Sequence, residues 1–303
     1  MVWSFALLVV WHVPLLQSIS AESIRKLADF TSQQLANPSW ACASLCYCDE
    51  QLLDAIAAAA MAKLRQGSQQ DVSNISWAFA TVAVVHEPLL AAISSAALSI
   101  RAEFSVQGLS NTAWAFATLA VHDLPLLDVI AAEAMRKIAD STSRPQNLSN
   151  IAWSFAMLSI QNIPLWQSIS AAALLRCTQF APQDLANLSW AMATCGLWDE
   201  PLLHALSNQA LAKMDEFDAQ NLSNTVWSMA DIQFCHMPLL DVIASRSILT
   251  LKSELKTQNL SNTAWAFAKL GIQTRPLISA LSAAAFTIIS EFTVQDMSNT
   301  AWA

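Results

Sequence analysis

Asparagine and tryptophan return together along this chain, three residues apart, at Asn74 and Trp77, Asn111 and Trp114, Asn150 and Trp153, Asn187 and Trp190, Asn224 and Trp227, and Asn262 and Trp265. A carboxamide carries both a donor and an acceptor, so it can read the edge of a nucleobase. An indole offers a face on which a base can stack. The same residue types also build cores: a buried amide pairs with backbone or with an identical neighbour, and a buried indole is a large packing element. Even spacing and small neighbours lead us to expect the indoles inside, as keystones between units. An asparagine that never varies cannot read a varying sequence. The candidate discriminating positions are therefore the next residues along, Ile75, Thr112, Ile151, Leu188, Thr225 and Thr263.

A second set of residues is cationic. Arg25 and Lys26, Lys63, Arg101, Arg136 and Lys137, Arg176, Lys213 and Lys252 recur at one place in the repeat and could follow a phosphate backbone. On a solvated helix face the same cations would pair with Asp29, Glu103, Asp140, Glu216 and Glu254, which follow them. Lys269 is the main cation near the Asn–Trp phrase itself. Four histidines, His12, His86, His122 and His236, stand just ahead of a proline, but only His86 and His122 lie in adjacent repeats. A metal needs three or four ligands converging on one point, so no metal site is expected. Among the six cysteines only Cys46 and Cys48 form a tight pair, with no second pair or histidine at zinc spacing. Cys42 and Cys195 fall where phenylalanine or leucine stands in other repeats, which suits small buried hydrophobes in a reducing compartment. Four glycines cannot cradle a phosphate, and no nucleophile elbow or zinc-protease motif occurs. The reading is of no catalytic residue, no cofactor and no small-molecule substrate.

The elements that must hold these residues follow from the period. Trp3, Trp40, Trp77, Trp114, Trp153, Trp190, Trp227, Trp265 and Trp302 are spaced 37 to 39 residues apart. Such a period marks a solenoid of supersecondary units. Within one unit, Ser105 is a candidate N-cap, and Thr31, Ser68, Asp218 and Thr293 take the same place. A first helix, A, is expected from Val106 to Ala120, burying Leu109, Ala113, Phe116 and Leu119, with Asn111, Trp114 and Thr118 on a second stripe. After a loop from Val121 to Leu124, Pro125 should open a second helix, B, reaching Asp140 and turning Leu127, Ile130, Ala131 and Ala134 inward. The fold class is all-α, a right-handed α-solenoid of helix-turn-helix repeats of about 37 residues. We expect one array over 1–303, with a partial repeat at 1–31, repeats starting near 32, 69, 106, 145, 182, 219 and 257, and a partial repeat at 294–303.

The net charge of −8 and a pI near 5.0 argue against a generic nucleic-acid binder held by phosphate attraction. Met1 to Ala21 is hydrophobic and free of Asp, Glu, Lys and Arg, as a signal or membrane segment would be. However, Trp3-Ser4-Phe5-Ala6-Leu7 aligns with Trp153-Ser154-Phe155-Ala156-Met157, so the stretch reads as repeat, not as membrane. Both ends stop inside a repeat, which suggests a fragment, and no transit peptide is visible.

The phrase Asn111-Thr112-Ala113-Trp114-Ala115-Phe116-Ala117-Thr118-Leu119, followed by Pro125-Leu126-Leu127 and a second helix, resembles the octotricopeptide repeat. It is also similar to the helical arrays of Fas-activated serine/threonine kinase-like and RAP-domain proteins. The resemblance implies binding of single-stranded RNA in a mitochondrion or chloroplast, serving RNA processing, stability or translation. It also implies that the RNA lies along the A helices with about one base per repeat. The acidic balance motivates a competing expectation, a protein-interaction scaffold of the α-solenoid type, and the cut ends a third, a fragment of a larger RAP-domain protein.

Overall fold

The computed structural model describes residues 12–31, 33–35, 37–38, 49–139, 143–250 and 256–303. Contacts divide the chain into two compact units, 1–147 and 148–303, each a stack of helical hairpins of the α-solenoid kind. No strand occurs among the described residues. In the first unit the A helices are α3 (Gln69–Thr81) and α5 (Val106–Thr118). Its B helices are α1 (Val13–Lys26), α2 (Glu50–Lys63), α4 (Glu87–Ser99) and α6 (Leu124–Ile138). Helix α7 (Pro145–Met157) is an A helix counted with the second unit from Leu148 on. That unit continues with A helices α9 (Pro182–Thr194), α11 (Ala219–Asp231), α13 (Thr257–Lys269) and α15 (Val294–Trp302). Its B helices are α8 (Ile163–Arg176), α10 (Glu200–Ala212), α12 (Met237–Thr250) and α14 (Arg275–Ile288).

Most A helices start where a side chain covers an orphan N–H, α13 after Lys256 being the exception. Ser68, Ser105, Asp218 and Thr293 accept from the N–H of Asp71, Gly108, Asn221 and Asp296 at 3.3, 3.1, 2.7 and 3.2 Å. In α9 the cap position is Ala181, and the Asp184 carboxylate instead accepts from the Ala181 N–H at 3.1 Å. The A helices stop two residues earlier than periodicity alone suggests. In α5, Ala120 takes φ of 54°, and the Val121 N–H reaches back to the Phe116 carbonyl at 2.8 Å. This is the left-handed C-terminal closure that glycine usually supplies. Gly196 and Gly271 supply it in two repeats, but Ala83, Ala120, Ser159 and Gln233 hold it in the others, with φ from 54 to 56°.

The B helices begin one residue ahead of their proline, which therefore sits at the second helical position in α1, α4, α6, α8, α10 and α14. The cap is the residue before that. Asp49, Asp123, Asn162 and Asp199 accept through a side-chain oxygen at 3.1 Å. His12, His86 and His236 accept through Nδ1 from Leu15, Leu89 and Leu239 at 3.2, 3.1 and 3.3 Å. The loop histidines are thus helix caps rather than ligands, except His122, which lies one residue before the Asp123 cap. Most B helices end in a single 3₁₀ turn, such as Leu64–Gln66, Cys177–Gln179 and Met214–Glu216.

Packing within each unit is tightest between successive A helices: α3 on α5, and α9, α11, α13 and α15 in series. Ala113, Ala115 and Ala117 are buried in α5, and residues this small let backbones approach closely. Leu109, Ala113 and Phe116 fill the core as expected, and so do Leu127, Ile130, Ala131 and Ala134 of α6. Leu119 is only half-buried, because it is the C-cap residue where the chain turns away from the helix. Cys195 occupies the same C-cap place in its repeat and is half-buried for the same reason.

A left-handed alanine costs on the order of 1 kcal/mol relative to glycine. Nothing within 4 Å would meet a Cβ at the equivalent Gly196 and Gly271, so conformation rather than space decides the site. Ala120→Gly is expected to raise the melting temperature measured by circular dichroism, and Gly196→Ala to lower it.

Candidate nucleic-acid interface

The A helices from α3 to α11 each leave one narrow stripe uncovered. In α11, Gln220, Asn224, Trp227 and Asp231 are exposed or half-buried, and every other side chain from 219 to 230 is buried. The same four places are open in α5, at Gln107, Asn111, Trp114 and Thr118, and in α3, at Gln70, Asn74, Trp77 and Thr81. Spacings of four, three and four residues keep all four on one line of a helix. The stripe is Gln–Asn–Trp at its first three positions in α3, α5, α7, α9, α11 and α13.

Two expectations are corrected by this geometry. The candidate discriminating residues Ile75, Thr112, Ile151, Leu188, Thr225 and Thr263 are all buried, at 0 to 4% exposure. One residue on from the asparagine is about 100° around the helix, which turns these side chains into the neighbouring A helix. The Thr112 and Thr263 hydroxyls are used inside their own helices, donating to the Gly108 and Asn259 carbonyls at 2.9 and 2.7 Å. The tryptophans, conversely, are not core keystones. From Trp77 to Trp265 they are half-buried on the stripe, and in the second unit each ring packs against the next at a tilt of 24 to 41°, with ring centroids 6.3 Å apart from Trp153 to Trp190, 6.4 Å on to Trp227, 6.1 Å to Trp265 and 6.0 Å to Trp302. Trp302 ends the column and is 60% exposed.

The asparagines form no continuous amide ladder. In the last repeat Gln295 Nε2 donates to Asn299 Oδ1 at 2.8 Å, and Asn299 Nδ2 donates to Asn262 Oδ1 at 3.4 Å. Among the described residues, the side-chain amides of Asn187 and Asn224 have no protein partner. The polar ladder that does link A helices, at four junctions among the described residues, runs from the serine of one phrase to the third helical residue of the next repeat. Asn147 Nδ2 donates to Ser110 Oγ at 3.1 Å. Ser149, Ser223 and Ser261 donate to Asp184, Asn259 and Asp296 at 3.1, 3.2 and 2.8 Å. The sequence signal for this ladder is a serine beside the asparagine and an Asp or Asn after the glutamine.

One family model matches this chain twice in succession, over residues 1–142 and 125–275: that of the RNA-editing substrate-binding complex 6 protein (RESC6). The chain belongs to the RESC6 family. No curated protein matches it.

The basic column of this RESC6-family chain does not face outward as a row of free cations. Lys63 donates to the Leu27 and Ala28 carbonyls at 3.4 and 2.6 Å and also to that of Phe30. Lys137 donates to the Ala102 carbonyl at 2.8 Å and to that of Phe104. Lys213 donates to the Thr178 and Phe180 carbonyls at 3.1 and 2.7 Å. Each lysine thus caps the end of the preceding B helix, where unpaired carbonyls concentrate negative charge. Arg101 bonds the Leu98 carbonyl of its own helix at 3.2 Å, Arg136 pairs with Glu133 at 2.6 Å, and Arg176 also has a partner. Lys252 lies outside the described residues. The acids that answer these cations precede them by one turn. Glu22 serves Arg25 and Lys26, and Glu133 serves Arg136 and Lys137. Among the described residues Asp29, Glu103 and Glu216 make no such pair, and Asp140 and Glu254 lie outside them. Lys269 is on the stripe, 2.8 Å from Asp231 of the previous repeat and 4.4 Å from the Trp265 ring centroid.

Among the described residues no group of three or more histidine, cysteine, aspartate or glutamate side chains could hold a metal, and no helix is long and apolar enough to cross a membrane. Trp3, Cys42, Cys46 and Cys48 lie outside the described residues. Burial pushes the Cys195 thiol up to about 11, which keeps it protonated and unreactive.

Two equivalent ladder carboxylates are shifted oppositely. Burial pushes Asp184 up, against the pull of the Ala181 N–H, the Ser149 hydroxyl and Lys213. Burial also pushes Asp296 up, but the Ser261 hydroxyl, the Thr293 N–H and hydroxyl and Thr257 together hold it below its ordinary value. In the unfolded chain Asp184 gives up its proton at lower pH than in the folded one. Its contribution therefore falls as pH rises from the ordinary carboxylate value through the folded one. Asp296 does the opposite, adding stability above its ordinary value that is lost as pH falls. Asp184→Asn, which reproduces the Asn147 arrangement, is expected to raise the melting temperature at neutral pH and to flatten its fall as pH rises above the ordinary carboxylate range. Lys213→Met is expected to cost about 1–2 kcal/mol in urea unfolding while leaving RNA retention unchanged once folded.

Proposed function

We propose that this chain is an RNA-holding component of a substrate-binding complex of the RNA-editing type, and that it acts without catalysis. Single-stranded RNA is its partner, and the A-helix stripe of the second unit is the surface on which the strand lies. The observation that carries this reading is the register of the stripe: an open amide and an open indole recur together, helix after helix. Indoles give base-tolerant stacking worth about 1–3 kcal/mol per base, and the amides give hydrogen bonds to base edges. Family membership supports a role beside RNA, and the likeness of the repeat phrase to octotricopeptide, Fas-activated serine/threonine kinase-like and RAP-domain arrays supports the same reading. We place the protein in an organelle, the mitochondrion in first position and the chloroplast second.

The stripe brings little positive charge: among the described residues Lys269 is its one cation, and Asp231 neutralises it. Affinity then comes from bases more than from phosphates, and retention falls only shallowly with salt. The same feature, with a net charge of −8, favours a second reading, a scaffold that binds protein components of the complex.

Filter binding with organellar single-stranded transcripts separates the two. Asn187→Ala with Asn224→Ala, and separately Trp190→Ala with Trp227→Ala, should each weaken retention at least tenfold, with helical content preserved for the asparagine pair. Unchanged retention in the asparagine pair, or recovery of the same proteins before and after ribonuclease with no RNA retained, would favour the scaffold.

A further inference from the structure

The stripe is nearly the same surface in every repeat. Its glutamine, asparagine and tryptophan do not change from α3 to α13, and the residues one step around from the asparagine are sealed in the core. Only the fourth position varies, as Thr81, Thr118, Met157, Thr194, Asp231 and Lys269, and the last two of these are tied to each other at 2.8 Å. Helical readers that decode a mixed sequence do so by changing the two or three side chains presented to each base. A surface that presents the same amide and the same ring at each step has no means of asking for different bases at different steps.

We infer that the stripe takes a single-stranded RNA tract of one repeated base. This rests on the RNA reading above and narrows it to a substrate class. The step between successive indoles in the second unit, 6.0 to 6.4 Å, supports the same conclusion. It is nearly twice the rise of about 3.4 Å per nucleotide along one strand of a stacked duplex. The strand therefore lies extended, its bases unstacked from one another and each set against one repeat. A single carboxamide matches an edge that offers one acceptor beside one donor, as adenine, uracil and cytosine do. Guanine offers it two adjacent acceptors, N7 and O6, on one edge and a fitting acceptor and donor, O6 and N1–H, on the other. Every base in a uniform tract of the first kind meets its amide alike. In a mixed sequence the edges alternate in geometry, and a fixed amide satisfies only some of them.

The test uses the full chain and twelve-nucleotide RNAs: oligo-adenosine, oligo-uridine, oligo-cytidine, and unstructured permuted sequences of adenosine, uridine and cytidine. Fluorescence anisotropy should show one of the three uniform tracts bound at least tenfold more tightly than every permuted sequence. Asn187→Leu with Asn224→Leu should reduce that ratio towards one while leaving residual binding, because stacking on the indoles does not depend on the base. A ratio below tenfold in the unaltered chain overturns the inference and leaves the RNA reading intact. Absence of binding to all of these RNAs and to the longer transcripts above overturns both.

Discussion

The close approach of neighbouring A helices is the constraint from which the rest of this structure follows. Small residues, alanine and serine above all, on the buried faces of the A helices permit it, and serine-to-Asp or serine-to-Asn bonds at four junctions hold its register. A helix pressed on both sides by its equivalents, and from behind by its own B helix, has one line of residues left over. That line is the stripe, and its indoles meet at 6.0 to 6.4 Å because the helices beneath them are so near. The candidate interface is therefore a product of core packing.

Electrostatics are used inside the fold more than on its surface. Lysines that would form a basic track are turned back onto carbonyls of the preceding repeat, where they neutralise helix ends. The ladder carboxylates are hydrogen-bonded, and the balance between burial and the donors around each sets the direction of its shift. Two donors leave burial dominant at Asp184, whereas four overcome it at Asp296. An acidic chain with its cations so engaged has little long-range attraction for phosphate to offer. A stripe that works on RNA must work through contact, one base at a time.

Much of the architecture was legible from residue spacing. A period of 37 to 39 residues with capping residues at fixed offsets gives hairpins, and the observed A helices begin at Gln69, Val106, Pro145, Pro182, Ala219, Thr257 and Val294. Helix ends were less legible. Ala120 shows no sign in its chemistry that it adopts a left-handed conformation, since glycine is the usual marker and most repeats lack it. The histidine caps were hidden because Nδ1 is a rare stand-in for a carboxylate or hydroxyl.

The site divides the same way. The sequence by itself determined that an amide and an indole share one helix line, because spacing of three residues puts them there in any α-helix. It also determined that these pairs repeat, and that the chain as a whole is acidic. Which side of that line faces water was decided only by tertiary packing: periodicity gives relative angles around a helix, never the direction of its neighbours. Thr112 and Trp114 are two residues apart, and their exchange of expected roles, the threonine inside and the indole outside, came from the next A helix lying against one and not the other. The cations were settled in the same way, since the carbonyls that Lys137 and Lys213 cap lie 33 and 35 residues away along the chain and come within reach only when one hairpin stacks on the next.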